Sequence, residues 1–138
     1  MKGERIILSI DPGKNKCGVA LLSDIKGVIY HKVILSNNII NEINTIISGY
    51  RLYCIVLGDR THSLQIKEKL SLIKSEKGII FLDEHLTTEL ARKKYFKENP
   101  PGGWKRLIPV SLQVPPVPYD DYAAIILGER FLSGKKDN

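Results

Sequence analysis

The sequence predicts an α/β fold with a mixed five-stranded sheet flanked by helices. Three apolar segments follow one another directly at the start of the chain, helical periodicity appears only after them, and helices and apolar strands then alternate. Short turns favour an antiparallel three-stranded meander, whereas strands joined through helices favour parallel pairing. The 138 residues are expected to form one domain, residues 1–138.

The three strands of the meander are predicted over residues 5–11, 17–23 and 28–35. The first two, RIILSID and CGVALLS, are rich in apolar and β-branched residues, and the short loop DPGKNK between them suits a hairpin. Residues 24–27 supply the second turn. Each strand therefore pairs with the one that follows it in the chain.

The middle of the chain alternates helices with buried strands. A helix is predicted over residues 38–48 because four isoleucines would share one of its faces, and Gly49 suits its end. Residues 52–59 predict the fourth strand, and residues 78–84 the fifth. Both strands end in acidic residues.

Between these two strands, a helix is predicted over residues 64–76. Ser63 is its expected N-cap. Leu64, Leu70 and Ile73 are expected to face the core, with lysines and glutamates on the outside.

The last third of the chain predicts two helices with an irregular segment between them. One of the two threonines of TTELAR caps a helix over residues 87–99. Prolines and glycines then break the periodicity over residues 99–118, a segment that we call the arm. A final helix begins at the Asp-Asp pair and runs to residue 132, and the polar tail 133–138 is expected to be frayed.

Composition favours a globular protein with a polyanionic partner. Hydrophobic residues make up 43% and charged residues 26% of the chain, which is ordinary for a folded domain. The net charge of +6 and pI of about 9.3 favour nucleic acid as the partner. No apolar stretch has membrane-spanning length and no signal peptide is evident, so we expect a cytoplasmic protein without membrane contact. Cys17 and Cys54 lie in apolar strands and are expected to be buried, reduced thiols.

Acidic residues lie where predicted elements end or begin. Asp11, Asp59 and Glu84 end three strands that are expected to be parallel, and Asp120 and Asp121 begin the last helix. Groups at the carboxyl ends of parallel strands gather at one edge of a sheet. Because converging carboxylates repel each other, the pattern predicts a divalent cation with oxygen ligands, Mg²⁺ or Mn²⁺.

Four of the five acidic residues also have a simpler explanation; Asp59 could cap the element that follows it. Asp11 before Pro-Gly could be a turn residue, and Asp120 and Asp121 could be helix caps. The sequence contains no GxSxG motif, no phosphate-binding loop, and no zinc-type spacing among His31, His62 and His85. His31 is expected to be structural, and His85 is a better candidate than His62 for assisting the acidic site.

Three separated motifs resemble the YqgF family of RuvC-like, ribonuclease H-fold nucleases. They are Asp-x-Gly followed by CGVALLSD, then DEHLTTELAR, and finally DDYAAIILGERFL. Their order is that of the family, and they cover nearly the whole chain. The resemblance implies a ribonuclease H-like fold and divalent-metal hydrolysis of phosphodiester bonds. Family members are described as Holliday junction resolvases and as pre-16S rRNA processing nucleases.

The resemblance also implies roles for individual residues. Asp11, Glu84 and Asp120 match the catalytic carboxylates of the family, and Asp121 is a neighbour that could share the metal. The family usually has Gly-Leu-Pro after the fourth strand, whereas this chain has GDRTHS, which makes Asp59 a further candidate metal ligand. His85 stands where an arginine is usual.

Basic residues near these motifs are candidate nucleic-acid contacts. Trp104 could stack on bases or pack into the core, and the cations could hold phosphates or form a solvated face. The candidate cations are Lys14, Lys16, Arg60, Arg92, Lys105 and Arg106. The substrate would be RNA or branched DNA, and junction cleavage would imply a homodimer. The alternatives are a catalytically silent nucleic-acid-binding module on the same fold, and a small-molecule phosphotransferase that would need a nucleotide site.

Overall fold

The computed structural model describes residues 3–60, 62–85 and 87–134. The strands are β1 (Ile6–Asp11), β2 (Lys16–Ser23), β3 (Gly27–Leu35), β4 (Leu52–Gly58) and β5 (Ile79–Leu82). The α-helices are α1 (Ile39–Ile46), α2 (Ser63–Leu70), α3 (Thr87–Glu98) and α4 (Asp120–Gly134). Short 3₁₀ helices cover Ser36–Asn38, Gly103–Leu107 and Val110–Leu112. None of the described helices is long and apolar enough to cross a membrane.

The strands form one mixed sheet in the order β3-β2-β1-β4-β5. β1, β2 and β3 pair antiparallel as a meander, and β4 and β5 extend the sheet in parallel with β1. The predicted fold class and its split into a meander and parallel strands are therefore confirmed. The parallel set brings the ends of β1, β4 and β5 to one edge of the sheet.

Helices cover both faces of the sheet and produce two buried layers. Alternating residues of β1 separate into Ile6, Leu8 and Ile10 on the face covered by α1 and α2, and Ile7 and Ser9 on the face covered by α3 and α4. The isoleucines of α1 pack on the first layer, as their spacing predicts. Both cysteines are free and buried, and burial raises the pKa of each thiol.

The predicted helix over residues 64–76 is shorter in the structure. It ends at Leu70, since the Ser71 amide and hydroxyl both donate to the Glu68 carbonyl and tighten the last turn. Leu70 and Ile73 face the core as expected, but Leu64 is 67% exposed. Ser63 is the first residue of the helix rather than its cap, because helical geometry begins after His62.

Other boundaries differ from the sequence prediction by a few residues. Glu84 lies two residues beyond the end of β5, and Asp59 one residue beyond the end of β4. Thr87 is a helical residue whose hydroxyl donates to the Glu84 carbonyl, so it does not cap α3 with its side chain. The arm contains two 3₁₀ turns, and α4 continues through Gly134. The rest of the tail, 135–138, lies outside the described residues.

A buried hydrogen bond fixes the position of α4 on the sheet. The Ser9 hydroxyl, at the centre of β1, donates to the Ala124 carbonyl over 2.6 Å. Gly128 permits a close approach further along the helix, since a Cβ there would lie 2.6 Å from Leu22 Cδ1. The first turn of α4 is therefore held at the end of β1.

We expect Ser9→Ala to lower the free energy of unfolding by about 1 kcal/mol, because the variant leaves a buried carbonyl without its side-chain donor. Chemical denaturation followed by circular dichroism measures the change. The matched control is Ser71→Ala, which removes an exposed hydroxyl and should change stability by less than about 0.5 kcal/mol. Equal effects of the two substitutions would contradict the proposed anchoring role of Ser9.

Candidate metal centre

Asp11 places a buried carboxylate at the end of the central strand. It is the last residue of β1 and lies on the face covered by α4, by alternation from Ser9. Only 8% of the residue is exposed, and its Oδ1 is buried without a hydrogen-bond partner among the described residues. Such an oxygen is costly to bury unless a cation or donor satisfies it.

Glu84 brings a second buried carboxylate to the same place. The Arg60 amide donates to Glu84 Oε2 over 3.0 Å, and Arg60 Nε lies 3.2 Å from Glu84 Oε1 without hydrogen-bond geometry. The Arg60 guanidinium is steadied by a 3.1 Å bond from Nη2 to Thr88 Oγ1. The Thr87 amide and hydroxyl both donate to the Glu84 carbonyl and fix its backbone. The Glu84 side chain is thus held in one orientation.

Two glycines make room for the carboxylates. A Cβ on Gly58 would lie 2.4 Å from Glu84 Cδ, so only glycine permits the Glu84 side chain to lie across the end of β4. A Cβ on Gly18, the β2 partner of Asp11, would lie 1.8 Å from the Asp120 carbonyl oxygen. Gly18 therefore permits the start of α4 to approach the end of β1.

Asp120 is the third acidic residue at this edge. It begins α4, and its charge raises the pKa of Asp11. The pKa of Asp120 itself is raised, first by burial and then by the charge of Asp121, while Lys16 and Arg60 oppose the shift. The structure thus brings Asp11, Glu84 and Asp120 into electrostatic contact.

The pair of buried carboxylates has a strong effect on proton binding. Burial, followed by interaction with Glu84, raises the pKa of Asp11 to about 9, and the Arg60 charge opposes this shift. A proton shared by the two carboxyl groups would relieve their repulsion in the absence of a cation. A bound cation would do the same, and the proton would then be released.

Asp121 points away from this cluster. Its Oδ2 lies 2.7 Å from Nδ1 of His31 on β3, and its Oδ1 accepts a bond from the Tyr122 amide. The Tyr122 ring packs beside His31 with 5.2 Å between ring centroids. Sequence analysis did not foresee this pair, because residues 90 positions apart carry no local signal. The contacts give Asp121 a role in holding α4 against β3.

Asp59 also lies apart from the cluster. Alternation along β4 directs it to the face opposite Gly58, and its side chain is exposed. His85, the favoured assisting histidine, is exposed, and its amide donates to Asp83 Oδ1. Its carbonyl accepts a bond from Arg130.

The acidic side chains at this edge offer oxygen ligands for a divalent cation. Across the described residues, no three carboxylates, imidazoles or thiols are arranged to hold one ion. Asp11 and Glu84 nevertheless offer two buried oxygens without hydrogen-bond partners, and Mg²⁺ is commonly bound by one or two carboxylates together with water and substrate phosphate. The pair therefore fits Mg²⁺ or Mn²⁺, with Asp120 beside it.

The candidate nucleic-acid contacts lie at four separate places in the structure. Lys14 and Lys16 are exposed at the β1–β2 hairpin beside the carboxylates, whereas the Arg60 guanidinium pairs with Glu84 and is half-exposed. Lys105 and Arg106 are exposed on the arm. Arg92 is partly buried on α3, and its Nε has no hydrogen-bond partner among the described residues; Trp104 is 69% exposed and does not pack into the core.

We expect Asp11→Asn to stabilise the metal-free protein, and to do so more strongly at pH 8 than at pH 5. Because the pKa of Asp11 is raised from 3.8 to about 9 in the folded state, the wild type loses stability as the pH rises between these values. The variant lacks this loss. Thermal unfolding in chelator at both pH values measures the difference in stability between the variant and the wild type. A difference that shrinks with rising pH would contradict the assigned burial of Asp11.

We expect Gly58→Ala to remove the stabilisation of the protein by Mn²⁺ while leaving the fold intact. The new methyl group would occupy the position of the Glu84 carboxyl, which Arg60 holds in place. Melting temperatures with and without Mn²⁺ measure the effect. Gly134→Ala is the control, because no described atom lies within 4 Å of its Cβ. A normal Mn²⁺ response in Gly58→Ala would show that Glu84 does not bind the ion.

No family model matches the chain, and no curated protein sequence matches it. Solved structures of RuvC from Thermus thermophilus do match. RuvC in complex with a Holliday junction substrate is 10% identical and superposes with a TM-score of 0.56 over 96% of each chain. A second RuvC structure is 8% identical, with a TM-score of 0.51 over 96% of each chain. The chain therefore has the RuvC-like, ribonuclease H-like fold that its sequence predicts.

Proposed function

We propose that this protein is a divalent-metal-dependent endonuclease that hydrolyses phosphodiester bonds of nucleic acid. The observation that carries the proposal is the pair of buried carboxylates, Asp11 and Glu84, each with one oxygen that lacks a hydrogen-bond partner among the described residues. A fold does not define an activity, whereas the residues of a site do. The YqgF-like motifs supply the same three carboxylates independently.

Asp11 and Glu84 would hold Mg²⁺ or Mn²⁺, and Asp120 would join them at the rim. When bound, the ion would activate water and neutralise charge on the reacting phosphate. Arg60 holds Glu84 in place through its amide and its guanidinium. Lys14 and Lys16 stand beside the cluster and would attract the phosphate backbone. The remaining candidates, Asp59 and Asp121, would act outside the direct ligand set.

Two substrate classes are consistent with this proposal. RuvC has been solved with a Holliday junction, which favours branched DNA, and cleavage of a junction on both sides would require a homodimer. The YqgF resemblance also favours RNA, as in the processing of pre-16S rRNA. The basic net charge of +6 suits either polyanion.

The second candidate function is a catalytically silent nucleic-acid-binding module. It is favoured by the finding that no three metal-binding groups among the described residues are arranged around one ion. The Arg60–Glu84 pair would then be a structural ion pair that offsets buried charge. Metal-dependent cleavage distinguishes the two functions.

The decisive experiment is a cleavage assay with Mg²⁺ or Mn²⁺ on labelled substrates. The panel contains a four-way DNA junction, structured RNA, single-stranded DNA and fully paired duplex. We expect wild-type protein to cleave at least one branched or structured substrate. Asp11→Asn should reduce the rate at least about a hundredfold, because a ligand of the metal is lost.

Ser71→Ala is a matched control with an exposed, remote substitution and should cleave normally. Cleavage by Asp11→Asn at the wild-type rate would refute the assigned site. Binding of the panel without metal-dependent cleavage would instead support the silent module.

A further inference from the structure

The arm leaves and rejoins the fold at one place, the first turn of α4. Asn99, at its start, lies within hydrogen-bond distance of the Tyr122 hydroxyl, which also donates to Glu98 Oε1 over 3.1 Å. At its other end, Tyr119 directly precedes α4 and accepts a backbone bond from Tyr122. Both ends of the arm are therefore anchored next to Asp120. Surface loops whose ends meet in this way are frequently functional.

The arm also has a defined internal structure. Gln113 Nε2 donates to the Lys105 carbonyl over 2.8 Å and to the Ile108 carbonyl over 2.9 Å. Gln113 follows the 3₁₀ helix Val110–Leu112, and its two bonds connect that region to the 3₁₀ helix Gly103–Leu107 and the residue after it. Residues carried on the first 3₁₀ helix are thus presented in a fixed orientation.

The outer surface of the arm exposes apolar side chains, and the charged side chains of the arm are all basic. Trp104 is 69% exposed, and Lys105 and Arg106 beside it are exposed. Exposed aliphatic side chains accompany them at Leu107, Leu112, Val114 and Val117. No acidic residue occurs between Glu98 and Asp120. An exposed aromatic ring flanked by cations is the arrangement that binds single-stranded nucleic acid.

Charge argues against a second copy of this chain as the occupant of this surface. The neighbouring helix α3 carries four basic residues against two acidic ones, Glu89 and Glu98, so two copies docked through arm and α3 would bring mainly like charges together. Nucleic acid, by contrast, matches both features. Its phosphates pair with the cations, and an unpaired base offers a face to the indole ring, with aliphatic side chains able to wedge against a base step.

We propose that Trp104 stacks on an unpaired base of the nucleic-acid substrate while Lys105 and Arg106 hold adjacent phosphates. The arm thereby selects branched or single-stranded nucleic acid over fully paired duplex, whose bases are already stacked. This inference rests on the proposed function for the nature of the ligand, but it does not require cleavage. The contacts of Asn99 and Tyr119 tie the two ends of the arm to the first turn of α4, which carries Asp120.

Trp104 is the only tryptophan in the chain, so intrinsic fluorescence reports on it directly. The experiment titrates the protein with a four-way junction, single-stranded DNA, structured RNA and paired duplex in chelator. Binding is followed in parallel by anisotropy of a label on the nucleic acid. We expect the junction, the single strand or the RNA to quench Trp104 emission and protect it from acrylamide, and the duplex to do neither at equal occupancy.

Substitutions test the energetic contribution of the ring. Trp104→Ala should weaken binding of the best unpaired ligand about tenfold, and Trp104→Phe should recover most of the loss. The control is Tyr50→Ala, which removes another exposed aromatic residue outside the arm and should leave affinity unchanged. Melting temperatures confirm that each variant folds.

Two results would overturn the proposal. In one, anisotropy reports tight binding while Trp104 emission and its acrylamide accessibility stay unchanged; the arm would then be free to dock an acidic protein. In the other, Trp104→Ala and Tyr50→Ala bind alike. Failure of the proposed function is a separate outcome, in which no metal restores cleavage although Trp104 is quenched.

Discussion

Two buried carboxyl groups that cannot both be ionised at low cost, at the end of the central strand, are the constraint around which this structure is arranged. Asp11 and Glu84 face each other where β1, β4 and β5 end, and their repulsion and burial raise the pKa of Asp11 to about 9. Arg60 offsets part of the charge while it holds Glu84. Gly58 leaves the space that Glu84 occupies. Ionisation of both carboxyl groups is therefore unfavourable, and a bound divalent cation would offset its cost.

The rest of the fold supplies the stability that such a site requires. Apolar layers cover both faces of the sheet, so the central strand is enclosed on each side. The bond from Ser9 to Ala124 and the pair between His31 and Asp121 hold α4 at two points, on β1 and on β3. Because α4 is held at these two points, repulsion between Asp120 and the neighbouring carboxylates does not move the helix away from the sheet. Rigidity of this kind is what preorganised metal sites depend on.

The arm extends the same anchoring to the surface. Its two ends meet at the first turn of α4, so the fixed start of that helix positions both Asp120 and the arm. The start of α4 alone would thus set the position of an arm-bound substrate relative to the carboxylates. RuvC shares the fold at 10% identity, and at that distance the chemistry of the site and surface decides the function.

Much of the architecture follows from local patterns in the sequence. Runs of apolar and β-branched residues and short turns predicted the meander, and the isoleucine spacing predicted α1, because both signals come from residues close in the chain. Local signals failed at α2, where Ser71 hydroxyl bonding ends the helix early and Leu64 is left in solvent. Local signals also predicted that the last helix ends at residue 132, whereas α4 continues through Gly134.

The sequence by itself determined which residues could form the site, since acidic residues ending parallel strands must meet at one edge of the sheet. Only the tertiary structure decided which of them do. Asp59 falls on the opposite face through strand alternation, and Asp121 pairs with His31 on a strand far away in the chain. The space left by Gly18 and the clamp of Arg60 on Glu84 depend on distances between separate elements. Those distances follow from packing of the whole chain, and no local pattern encodes them.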